Sequence, residues 1–259
     1  MDVFLSASAW IALLTLTFLE IVLGIDNIIF ISIATGKLPV EQRKRATKIG
    51  MFLAMFMRIA LLFGISLLIA MKKPWLSIKL DWLSVDITGQ SLILLFGGLF
   101  LLYKSINEIR EKVDEKGQEE QEMKKSATKS FKNVIFQIIL IDIVFSFDSI
   151  LTAVGMTNGV HGAIFIMIAA VVISVFIMMQ FAVPVGKFVN KHPSIQILGL
   201  TFLILIGFML VTEAAHLSNF SFFGNHVEVL PKGYLYFAIA FSLLVEVLNM
   251  KSTKNKIKP

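Results

Sequence analysis

The chain has 259 residues, 56% of them hydrophobic, with a mean hydropathy of +0.81. Soluble domains lie near roughly 45–50% apolar even with Gly counted, so no soluble fold of this length buries so much apolar surface, and lipid must be the solvent for most of it. The net charge of +6 sits in short segments between apolar runs; that pattern forms no nucleic-acid-binding face and suits loop Lys and Arg that orient a membrane protein.

Seven runs are long enough to cross about 30 Å of hydrocarbon as helices. They are predicted at about 8–34, 49–70, 88–106, 133–154, 161–182, 195–215 and 233–250. The first is expected to be a retained helix and not a cleavable leader: MDVFLSASAW has no Lys or Arg ahead of the apolar run, and that run is span-length. The first loop carries Lys37, Arg43, Lys44, Arg45 and Lys48, and the fifth Lys187 and Lys191. The tail carries Lys251, Lys254, Lys256 and Lys258. Lys72, Lys73 and Lys79 weaken the contrast in the second loop. Odd loops and the C-terminus are therefore expected in the cytoplasm, and the N-terminus outside. The expected location is a bacterial cytoplasmic membrane.

The predicted fold class is all-α: a polytopic membrane protein of about seven transmembrane helices, an inverted 3+3 repeat plus one C-terminal helix. Residues 1–107 form the first three-helix repeat, 108–132 a charged cytoplasmic linker and 133–217 the second, inverted repeat. Residues 218–250 hold an extracytoplasmic loop and the seventh helix, and 251–259 a basic tail. The repeat rests on a motif. Span one reads FLEIVLGIDNIIF and span four LIDIVFSFDSILT. Glu20 aligns with Asp142, Asp26 with Asp148, and Asn27 with Ser149. Spans three and six match more loosely: Gly98 precedes Lys104 by six and Gly207 precedes Glu213 by six. Three is an odd number of crossings, so the second triplet enters from the opposite face, an arrangement that transporters use.

Glu20, Asp26, Asp142 and Asp148 lie well inside their spans. A charge at a helix centre costs about 2.5–3.5 kcal/mol on insertion scales, so a cation, a proton or a partner must offset four of them. Carboxylates with the oxygens of Asn27 and Ser149 suit a hard divalent cation such as Mn²⁺, Ca²⁺ or Mg²⁺. The absence of cysteine removes thiolate sites and Cys nucleophiles. No cofactor is expected; the metal is cargo. On a regular helix Glu20 shares a face with Gly24 and Asn27, whereas Asp26 points elsewhere. Either the first span breaks at Gly24, or another span meets Asp26.

Other candidates have plainer readings. Arg58, a cation within span two, is expected to neutralise one site acid only, or to move in when the site empties. Glu213 is a further ligand or an interfacial residue, and His216 ordinary polar surface. Lys104 snorkels to the surface, Glu246 is interfacial, and Met55, Met57, Met178 and Met179 pack. Gly97 and Gly98 allow close helix approach.

At ExxLGIDN (Glu20 to Asn27) and DIVFSFDS (Asp142 to Ser149) the chain resembles the TerC family of membrane proteins, and the resemblance covers essentially its whole length. It implies metal-ion homeostasis, with manganese efflux the best-supported activity for several members. It also implies kinship with the lysine-exporter superfamily, which uses inverted three-helix repeats. Tellurite, from which the family takes its name, is an anion and suits a four-acid site poorly.

The expected function is a secondary transporter exporting Mn²⁺, with protons as a candidate coupling ion. A membrane scaffold that loads metal onto secretion machinery is the alternative. An enzyme is not expected, since no nucleophile–base set is present. The expected partners are the lipid bilayer and the cation; a homo-oligomer and a secretion-machinery contact stay open, and nucleic acid is excluded.

Overall fold

A computed structural model of the protein describes residues 6–115, 130–157 and 159–256. The helices are α1 (Ala7–Gly36), α2 (Val40–Phe63), α3 (Ile65–Ala70), α4 (Gly89–Glu115), α5 (Phe131–Met156), α6 (Ala163–Lys191), α7 (Pro193–Leu217) and α8 (Lys232–Lys256). Among the described residues seven of these, all but α3, are long and apolar enough to cross a membrane. The membrane-spanning architecture is therefore all-α, as composition predicts.

The ends differ from the predicted spans for local reasons. Ser6 caps α1, its side chain accepting from the Ala9 amide at 3.2 Å. The Leu38–Pro39 step disfavours helix and closes that segment. The first loop is then much shorter than predicted, because α2 starts at Val40 and carries Arg43 to Lys48 on helical backbone. It stops at Gly64, so the predicted second span is α2 plus the short α3. Pro184 sits inside α6 without ending it, and that helix runs on to Lys191. The predicted linker at 108–132 also begins later, since α4 continues through Glu108 to Glu115. Residues 116–129 of that linker, and 257–259 of the tail, lie outside the described residues.

The chain forms two compact units. One holds α1, α2, α3, α5 and α6; α1 packs along α6, and α2 packs against α5 and α6. Small residues bring α1 and α6 together: Gly186 lies where a Cβ would meet the Ser32 hydroxyl at 3.1 Å, and Gly24 where one would strike the Met178 sulfur.

The other unit holds α4, α7 and α8 with a four-stranded sheet. Sequence reading missed that sheet. Strand β1 (Pro74–Lys79) pairs antiparallel with β2 (Leu83–Thr88), which pairs with β3 (Ser221–Phe222) and so to β4 (Asn225–His226). Phe223 and Gly224, with φ of 48° and 77°, form the two-residue hairpin turn that demands left-handed backbone at both positions. Trp82 stacks edge-on to Phe222, and hydrogen bonds from Ser77 and Asn219 hold the Asp86 carboxyl below its usual range. The sheet joins the second loop to the sixth, which places both on one side of the membrane.

Helices α4 and α7 meet at a reciprocal glycine contact. A Cβ on Gly98 would lie 2.7 Å from the Gly207 carbonyl oxygen, and one on Gly207 3.0 Å from the Gly98 oxygen. Backbone cannot swing aside as a side chain can. Gly98→Ala is expected to lower stability by about 1–3 kcal/mol, read as a drop in unfolding midpoint in detergent. Gly155→Ala, where an added methyl meets nothing within 4 Å, should leave the midpoint unchanged or raise it slightly.

Candidate functional site

Arg58 organises the interior of the first unit. Its guanidinium is held by two acids from two other helices. Nη1 donates to Glu20 Oε2 at 2.5 Å and Nη2 to Asp142 Oδ1 at 2.5 Å. Nε adds bonds to Asp142 Oδ1 at 3.2 Å and Oδ2 at 3.1 Å. All three residues are buried, at 4–5% exposure. Arg58 thus hydrogen-bonds both acids, while its single charge offsets only one of them, as expected. The planar fork has five donors, enough to engage Asp142 side-on and still reach Glu20.

The two acids are the aligned residues of the repeated motif, and the structure brings them to one point. It does so on unbroken helices. Backbone stays helical through Gly24, so of the two alternatives for the first span the break there is not the one found. Gly24 instead gives room to Met178. Convergence comes from a third helix, α2, reaching between α1 and α5.

With both carboxylates ionised the trio keeps one negative charge. Beside it lies a cavity of about 20 Å³, room for about one small species, lined in part by Asn27, Arg58, Asp142, Met51 and Met178. Asn27 is buried, and its Oδ1 has no hydrogen-bond partner among the described residues. A buried carbonyl oxygen left this way costs about 1–3 kcal/mol, so it calls for a hydrogen-bond donor or a cation in the adjoining cavity. Ser149 is buried, and its hydroxyl donates to the Ser146 carbonyl at 3.3 Å. The side chains of Asp26 and Asp148 lie outside the described residues. Among the described residues no group of three or more His, Asp or Glu stands close enough to hold a metal; Arg58 intervenes between the pair.

Two residues escaped the sequence reading. Ser146 is fully buried and donates to Asp142 Oδ2 at 3.1 Å. Its signal was its place one helical turn after Asp142. Glu108, read as linker, is 2% exposed on α4 and pairs with Lys104 at 2.7 Å. Lys104 therefore has a partner within its own helix, where snorkelling was expected. Glu213 is half-buried on α7, in the unit without Arg58. His216 Nδ1 lies 3.1 Å from the Val227 carbonyl, a structural contact.

Comparison with known proteins sets the chain among integral membrane proteins. The model of the integral membrane protein TerC family matches residues 5–258. The chain is 47% identical to the UPF0053 inner membrane protein YgdQ of Escherichia coli K12, covering 97% of this chain and 96% of that protein. It is 42% identical to the UPF0053 inner membrane protein YoaE of the same strain over 100% of this chain, but over only 46% of YoaE. The UPF0053 protein YegH is likewise 42% identical, over 96% of this chain and 43% of its own length. No solved structure matches.

Proposed function

The chain belongs to the TerC family of integral membrane proteins, and on that premise we propose that it is a secondary transporter of the inner membrane that exports a divalent metal cation, Mn²⁺ in preference to Ca²⁺ or Mg²⁺. One observation carries this reading: equivalent acids of a duplicated motif, Glu20 and Asp142, converge on one buried guanidinium beside the orphaned Asn27 oxygen. A scaffold has no need of two costly acids at one point inside the spans.

The ligands in this proposal are Glu20, Asp26, Asn27, Asp142, Asp148 and Ser149. Arg58 acts as a tethered cation that hydrogen-bonds both acids and offsets one of their charges between transport events. When the metal enters, it takes the carboxylate oxygens and the guanidinium withdraws. Acids crowded together also favour exchange of protons for metal. The inverted repeat supplies alternating access, and the reciprocal approach of Gly98 and Gly207, which occupy equivalent places in spans three and six, supports that symmetry. The shared sheet of loops two and six supports the proposed even-loops-outside orientation.

The test is flux in reconstituted vesicles. The wild type should move Mn²⁺, and Glu20→Gln and Asp142→Asn should each lower the initial rate by about tenfold or more. A wild type that moves none of Mn²⁺, Ca²⁺ and Mg²⁺ would overturn the proposal.

A further inference from the structure

A second cavity, of about 320 Å³, opens in the same unit at the helix ends that carry the first loop. Its wall includes Arg43 and Lys44 from α2 and Lys187 and Lys191 from α6. Among the described residues none of the four has an ion-pair partner. Arg43 Nε donates to the Leu38 carbonyl at 2.8 Å, which fixes the guanidinium at the cavity wall and leaves its Nη groups available. Glu41, the nearby acid on α2, is exposed and is not part of the wall.

Membrane orientation explains cations at this level, but not their placement. Arg43 and Lys44 lie in the first turns of α2, where the helix dipole repels positive charge. Pro39 caps the same helix without a side-chain hydrogen bond; the Gln42 amide donates to the Pro39 carbonyl at 2.9 Å, and among the described residues the Val40 and Glu41 amides have no backbone acceptor. Both features turn favourable if an anion sits there.

The remaining wall narrows the anion. Val40, Ala182 and Val183 give the cavity an apolar side, and Val40 is 70% exposed toward the surroundings. Asn190 and Thr47 add neutral polar groups between the cations. A charged headgroup with acyl chains leaving along an apolar wall matches this layout, as basic pockets between transmembrane helices do for anionic lipids.

We propose that this cavity binds a phosphate group, that of an anionic phospholipid headgroup, clamped between the N-terminal turns of α2 and the C-terminal turns of α6. The site is separate from the trio: Thr47 and Arg58 are eleven residues apart along α2, about 16 Å. It does not depend on the protein being a transporter.

Native mass spectrometry of the full-length protein tests it, with phosphatidylglycerol, phosphatidylcholine and inorganic phosphate as probes. The wild type should retain phosphatidylglycerol and not phosphatidylcholine. The doubly substituted Lys44→Gln, Lys187→Gln protein should bind phosphatidylglycerol about tenfold more weakly or worse. Both lysines are exposed, so folding should survive, and an unchanged melting curve checks that. Lys72→Gln with Lys73→Gln removes the same charge elsewhere and should leave binding intact. Displacement of the lipid by millimolar inorganic phosphate, or phosphate binding alone, keeps the anion site and makes free phosphate its source. Equal binding of both lipids, equal loss in both double variants, or full binding by the Lys44, Lys187 variant would each overturn the proposal.

Discussion

Arg58→Ala is expected to destabilise the folded protein by about 3–5 kcal/mol, a large fraction of a domain's whole stability. The cost does not come from losing two ion pairs as such. It comes from leaving Glu20 and Asp142 buried with no compensating charge. Arg58→Lys should recover only part of the loss. An ammonium is a point charge and cannot span the geometry in which Nη1 serves Glu20 while Nη2 and Nε serve Asp142. The mechanism makes a further demand. Neutralising both acids with Glu20→Gln and Asp142→Asn should shrink the penalty of Arg58→Ala, because no uncompensated charge remains. The measurement is the unfolding midpoint in one detergent for the wild type, Arg58→Ala, Arg58→Lys, the doubly neutralised protein and its Arg58→Ala derivative. A full penalty in the neutralised background would mean that Arg58 acts through packing and not through the acids.

Much of this was legible beforehand. Acids are so costly in hydrocarbon that Glu20 and Asp142 stand out from any apolar run, and their equal spacing to Asp26 and Asp148 marked the duplication. The spans were legible for the same reason. Their ends were not, because a helix does not stop where hydrocarbon stops. Arg43 to Lys48 and Glu108 to Glu115 read as loop by charge, yet their backbone gains more by continuing α2 and α4 into the interface than by leaving amides unbonded. The sheet was hidden differently. Residues 83–88, LSVDIT, do alternate, but the pairing that stabilises them lies with residues 221–222, far along the chain. A sequence window sees no partner at that range. Arg58 shows the same limit. It was read as serving one acid because spacing along a helix says nothing about which two neighbours its fork can reach.

That fork also yields the second large expectation. On the proposed reading, metal and Arg58 compete for the same carboxylate oxygens, so removing the guanidinium should tighten metal binding even as it weakens the fold. At a Mn²⁺ concentration 100-fold above its Kd, the Arg58→Ala protein should gain about 2.7 kcal/mol. If competition weakens wild-type binding about a hundredfold, the same concentration gives the wild type only about 0.4 kcal/mol. The observable is the rise in unfolding midpoint with added Mn²⁺, ordered Arg58→Ala above Arg58→Lys above wild type. Adding Glu20→Gln and Asp142→Asn to the alanine variant should abolish the rise, since the ligands are then gone. Equal shifts in wild type and Arg58→Ala would place the metal elsewhere and leave Arg58 as a structural clamp. A protein whose empty site is closed by its own cation has a reason to keep an expensive arginine in the membrane: the acids stay hydrogen-bonded and partly compensated when no metal is bound, and they are released only to a cation that binds them better.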